Sequence, residues 1–155
     1  MTLTFRVNGI AQAKGNLRPV RRGSGILTDT NKNVKTWQVL IAAAASQEIN
    51  RLAPTDRALL AGPVTMSIAF HLPRPVSLKA SVLAHIRKPD IDKITRAVFD
   101  ALEGVVYFSD SQIVNLVTTK RYASTGAIPF VAIRVEPAIG LRPLAVHQPL
   151  FETVQ

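Results

Sequence analysis

Cysteine is absent from these 155 residues. A disulfide framework and a thiolate metal site are thereby excluded, and the absence fits a cytoplasmic chain. Histidine is scarce as well: His71, His85 and His147 stand far apart, with no partner at i, i+3 or i, i+4, so no histidine cluster for a metal is expected. Only His85, a few residues ahead of an acid pair, comes near candidate chemistry. No Walker or dinucleotide-type glycine motif occurs, which argues against a nucleotide-driven enzyme. Long hydrophobic runs are missing too. The longest, Val39 to Ala45, is too short to span a bilayer, and Arg6 interrupts the opening where a signal peptide would place its apolar stretch, so no membrane partner is expected. Acids are few: 10 Asp and Glu stand against 19 Lys and Arg, and the formal net charge of +9 makes a polyanion the leading partner.

The basic surplus is localised. Among the first 38 residues, Arg6, Lys14, Arg18, Arg21, Arg22, Lys32 and Lys35 are opposed by a single acid, Asp29. Residues 13 to 25, AKGNLRPVRRGSG, read as a long basic loop or irregular hairpin in which Gly15, Gly23 and Gly25 permit turns or close approach to phosphate. A loop made soluble by its charge would have the same composition, and that reading stays open. A second basic group, Arg74, Lys79, Arg87, Lys88 and Lys93, surrounds the acid pair Asp90 and Asp92.

That acid pair opens the stretch around which the chain is organised, KPDIDKITRAVFDALEGVVYFSDSQ at 88 to 112. Pro89 favours an extended approach or a first helical turn, and carboxylates are stabilised beside a helix N-terminus, so a helix is expected to start there. Ile91, Ile94, Val98 and Leu102 fall on one face at helical spacing and go to the core. Asp92, Arg96 and Asp100 recur at i, i+4 and i+8 on another face, and Gly104 supplies a C-terminal stop. Asp110 follows in FSDSQ, just before an alternating run that reads as a strand. If that strand packs beside the helix start, the carboxylates converge, and converging carboxylates require a cation or a shared proton. All-oxygen ligation points to Mg²⁺ or Mn²⁺, and the chemistry that suits such a site is metal-assisted phosphodiester hydrolysis. Ordinary helix-start charges and solvated ion pairs between Asp92, Arg96 and Asp100 would produce the same spacing. Ser109 and Ser111 flank Asp110 but lack a base, and are expected in a turn.

The segment KPDIDKITRAVFDALEG, followed by FSDSQIVNL and the basic KRY at 120 to 122, resembles the RusA family of Holliday junction resolvases, often encoded by phages and prophages. The resemblance is strong over residues 88 to 122, weaker over 1 to 75, and absent after Pro137. It implies an Mg²⁺-dependent endonuclease that acts as a homodimer on branched DNA in recombination and repair, in the host cytoplasm if phage encoded. Asp90, Asp92 and Asp110 match the family's catalytic metal-binding acids. Where the family often places a functional Lys, four residues after the second acid, this chain has Arg96, which keeps the charge and grips phosphate but does not shift its pKa for proton transfer. Asp100 is expected to orient Arg96 or a water at the metal. Lys14, Arg18, Arg21, Arg22, Lys88, Lys93 and Lys120 are the expected DNA contacts. Two rivals remain: a non-catalytic nucleic-acid-binding module, and a metal-dependent nuclease for flaps or single strands.

The expected fold is α/β, a single domain over 1 to 136 with helices on one face of a small mixed sheet, followed by a Pro-rich tail over 137 to 155. Leu3, Phe5 and Val7 mark a first strand. Trp37, Ile41, Ala45 and Ile49 mark a packing helix from about Val34 to Leu52, capped by Thr30 or Asn31. Val64, Met66, Ile68 and Phe70 mark a central strand. Residues 73 to 89 have no clean period and are expected as a mobile loop, and 113 to 122 with 128 to 137 as a hairpin.

Overall fold

A computed structural model describes residues 1–15 and 31–138, together with the backbone of 17–19 and 27–29. Strand β1, Leu3–Asn8, leads to a two-stranded antiparallel ribbon of β2, Leu17–Pro19, and β3, Leu27–Asp29. Helix α1 spans Val34–Arg51, strand β4 Val64–Leu72, helix α2 Ile91–Leu102, strand β5 Ile113–Tyr122 and strand β6 Phe130–Pro137. The main sheet has the order β1-β6-β4-β5. Strand β6 is antiparallel to both β1 and β4, whereas β5 runs parallel to β4. The parallel pair follows from connectivity, because two parallel strands need a crossover and α2 provides it.

Binary alternation decides which face is covered. On β4 the residues from Val64 to Leu72 alternate strictly between buried and half-buried, and those of β1 between buried and exposed. Both helices pack on the side of Leu3, Phe5, Met66, Ile68, Phe70, Ile133 and Val135. From α1, Val34, Trp37, Ile41 and Ala45 enter this core; from α2, Ile94, Ala97, Val98, Ala101 and Leu102 do so, whereas Ile91, expected with them, is exposed at the helix start. Each large aliphatic or aromatic side chain buried there contributes about 1.5–3 kcal/mol. The opposite face of the sheet has no covering element among the described residues. Gly9, at φ +133, lies where an added Cβ would come within 3.1 Å of the Trp37 ring, so only glycine lets the chain leave β1 against α1.

Three further expectations need correction. Residues 113–122 and 130–137 are strands but not a hairpin: β4 lies between them, and the connection crosses its end, where the Ala123 amide donates to the Leu72 carbonyl. Alternation reveals a strand and its buried side, not its neighbour. The segment 73–90 is not a free loop either. Arg74 donates to the carbonyls of Ala123, Lys79 and Val82 at 2.8–2.9 Å, its guanidinium lies over the Tyr122 ring, and the Tyr122 amide donates to Leu83 O. The N-cap of α1 is Asn33, without a side-chain capping bond, rather than Asn31, which lies two residues earlier and accepts from the Asn33 amide; Thr30 lies outside the described residues.

Candidate active site

Asp90 is the N-cap of α2, in extended conformation, and its carbonyl accepts from the Ile94 amide while its side chain makes no capping bond. The carboxylate is therefore left for other work. It is exposed, with a loose ion pair to Lys93 at 3.8 Å. Asp92, in the first turn, is exposed and has no ion-pair partner among the described residues, and neither does Arg96 one turn later. Helix-face ion pairs between Asp92, Arg96 and Asp100 are not formed. Two carboxylates and a guanidinium are thus presented, unneutralised by one another, at the N-terminal end of α2.

Beneath them, Lys120 on the helix-side face of β5 donates to the carbonyls of Arg87 and Pro89, both at 2.8 Å. These carbonyls flank the turn that delivers Asp90. His85 is buried beside Lys120 and packs against Tyr122 with ring centroids 4.5 Å apart. Its pKa is lowered by burial first and by the Lys120 charge next, so its imidazole is held neutral behind the acids. Thr95 and Thr118 meet at 3.3 Å and tie the N-terminal half of α2 to β5.

Asp110 is elsewhere. It opens a short 3₁₀ turn at 110–112, where its amide donates to the Glu103 carboxylate just past the C-terminal end of α2. Helix α2 has 12 residues, a length of about 18 Å, and Asp110 is held at the end of it opposite the acid pair. The strand after Asp110 does pack beside α2, but its far end, at Lys120, adjoins the helix start, so the three acids do not meet within one chain. Among the described residues no group of three His, Asp or Glu is placed to hold a metal ion. Asp100 sits two turns along the helix, on the order of 12 Å from Asp92. Its carboxylate is engaged by the Lys14 ammonium and by Gln38 Nε2 at 3.2 Å.

The expected DNA contacts divide accordingly. Lys88 and Lys93 flank the acids, Lys14 is bound to Asp100, and Lys120 is committed to backbone carbonyls. The Arg18 side chain, Arg21 and Arg22 lie outside the described residues. Sequence reading missed the tethering roles of Lys120, Arg74 and Gln112. Gln112 accepts from the Phe108 and Ser109 amides and donates to the carbonyls of Leu60 and Gly62. Their partners are backbone carbonyls and amides, which leave no signature in residue type.

What the fold presents is an acid pair and an arginine without an ion-pair partner at a helix start, on a basic α/β scaffold. The chain belongs to the RusA family of endodeoxyribonucleases, whose profile, Endodeoxyribonuclease RusA, matches residues 9–136. It is also similar to the uncharacterized protein YqaN of Bacillus subtilis (strain 168), with 30% identity over 132 residues that cover 78% of this chain and 88% of that protein.

Proposed function

We propose that this protein is a divalent-metal-dependent endonuclease that resolves four-way DNA junctions by paired cuts in recombination and repair, acting as a two-fold homodimer. The observation that carries this reading is the pair Asp90 and Asp92, whose carboxylates are neither capping bonds nor compensated by Arg96. These are hard oxygen donors, and they fit Mg²⁺, or Mn²⁺, as part of a ligand set. Bound there, such an ion supplies Lewis-acid polarisation of a phosphodiester and activation of the attacking water. Arg96, always charged, holds the scissile phosphate and stabilises the charge that develops on it, while Lys120 keeps the turn before Asp90 in place.

The remaining acid comes, in this reading, from a second copy. Strand β5 is an edge of the sheet and exposes Val114, Leu116 and Val117, an apolar flank that an edge strand ordinarily avoids. A two-fold axis beside the middle of β5 sets the partner's strand antiparallel, so that Asp110 of the partner subunit arrives at the end where Asp90 and Asp92 lie. Two opposed sites then face the two strands of a nearly two-fold symmetric junction.

The test is incubation of a synthetic four-way junction and a matched linear duplex with and without Mg²⁺. Cleavage of the junction alone, dependent on metal, is expected. Asp90→Asn and Asp92→Asn should each lower the rate by a factor on the order of 10³ or more with junction binding intact or tighter, because a ligand is lost while repulsion of phosphate is relieved. Arg96→Ala should lower turnover and Arg96→Lys retain much of it. Binding unaffected by Mg²⁺ with no cleavage would leave the non-catalytic reading in its place.

A further inference from the structure

The face of the sheet turned away from both helices bears side chains that the proposed site does not use. Outward there point Thr4, Arg6 and Asn8 of β1, Phe130, Ala132 and Arg134 of β6, Ser67, Ala69 and His71 of β4, and their register partners Val117, Thr119 and Arg121 of β5. At one end they form a stack. The Arg6 guanidinium lies 3.6 Å from the centre of the Phe130 ring, and the His71 imidazole stacks on the same ring at 4.0 Å with an interplanar angle of 12°. Two groups that close to one ring must occupy its two sides, so arginine, phenylalanine and histidine are layered across β1, β6 and β4. Arg121 follows beside His71 on β5.

Among the described residues no acid balances this row. Arg6 has a hydrogen bond to Asn8 Oδ1 at 2.8 Å, and neither Arg6 nor Arg121 has a carboxylate partner among the described residues. The acid on this face, Glu136, is taken by Arg134 at 2.7 Å, toward the other end of β6. His71 feels the row's charge: its pKa is lowered by burial, then by Arg121 and Arg6. Cations assembled without a counter-charge repel one another, and an anion laid along them relieves that repulsion. Between the row and Arg134 the surface is floored by Ser67, Ala69, Ala132 and Thr119, whose small side chains leave a shallow groove open to a backbone.

We propose that this open sheet face is a DNA-binding surface, with Arg6 and Arg121 gripping successive phosphates of a junction arm while the acid pair works from the helix side. The row lies at the same end of the sheet as the acids, since Arg121 follows Lys120 directly along β5 and the two point to opposite faces. A second copy is the less fitting occupant. A two-fold contact through this face would set the same uncompensated cations against each other. The proposal rests on the nuclease reading only for the identity of the polyanion.

The experiment measures affinity of the metal-free full chain for a four-way junction as a function of KCl, which does not depend on cleavage. Arg6→Gln and Arg121→Gln should each make the slope of log K against log [KCl] shallower by about 0.9, and the double variant by about 1.8. Arg6→Lys and Arg121→Lys should restore the slope. A slope unchanged in the double variant overturns the proposal, as does an equal loss in the Lys variants, which would indicate damage to the stack. A changed mass in solution with an unchanged slope overturns it in favour of contact between copies. Loss of slope in a chain that never cleaves would sink the nuclease reading alone.

Discussion

Lys120 shows how one side chain is diverted by its surroundings. An ammonium has three donors, and here two are directed at Arg87 O and Pro89 O, the carbonyls of the turn that presents Asp90. Hydrogen bonds from a charged donor are worth about 1.5–3 kcal/mol each in favourable settings, enough to hold a turn without other regular structure. Lys120→Met should therefore reduce stability by about 1–3 kcal/mol in thermal or urea unfolding. It should also raise the Mg²⁺ concentration needed for half-maximal cleavage, with metal-free junction affinity changed little. Lys120→Arg should recover part of the metal response. A loss of DNA affinity with an unaltered metal response would return Lys120 to the role of a phosphate contact. Asp100 teaches the converse: its spacing from Asp92 suggested chemistry, but Lys14 and Gln38 already engage it.

Strand β5 is where local pattern and assembly part company. Its alternation marks a strand but not which face is inner, and Val114, Leu116 and Val117 remain exposed at 52%, 40% and 55%, far more than the buried strand residues of β4. An apolar edge strand invites pairing with another edge, and charged side chains are the usual means of blocking it. Val114→Lys combined with Leu116→Lys should convert a dimer to a monomer by light scattering and abolish paired cutting, while the thermal transition shifts by only a few degrees. A variant that stays dimeric would place the two-fold contact elsewhere. Helix α2 and strand β4 were readable in advance because their apolar periods are clean. The segment 73–90 was not, since its order comes from Arg74 and Lys120 reaching backbone carbonyls, and carbonyls carry no residue identity.

For the assembled protein, the separation of Asp110 from Asp90 and Asp92 by the length of α2 has a direct consequence. If each site draws Asp110 from the partner, mixing Asp92→Asn subunits with Asp110→Asn subunits produces dimers in which one site carries both defects and the other is intact. Such mixtures should regain nicking of the junction, at up to about half the wild-type dimer's sites in the mixed species, although each variant alone is inactive. Sites contained within one chain predict no recovery, because every subunit would be defective. The same mixture scored for paired cuts should stay inactive, since only one strand is served.

Residue pattern alone determined the strands and helices with clean periods, the burial side of each, the excess of positive charge and the motif around Asp90, Asp92 and Asp110. These are local properties, set by spacing along the chain and by side-chain chemistry. Only the tertiary structure decided that β6 inserts between β1 and β4, that Lys120 faces the helices while Arg121 faces the open side, and that Asp110 stands at the wrong end of α2 to join its companions. Those outcomes depend on strand order and on which end of one element meets which end of another. Long-range pairing sets both, and no window of sequence contains it.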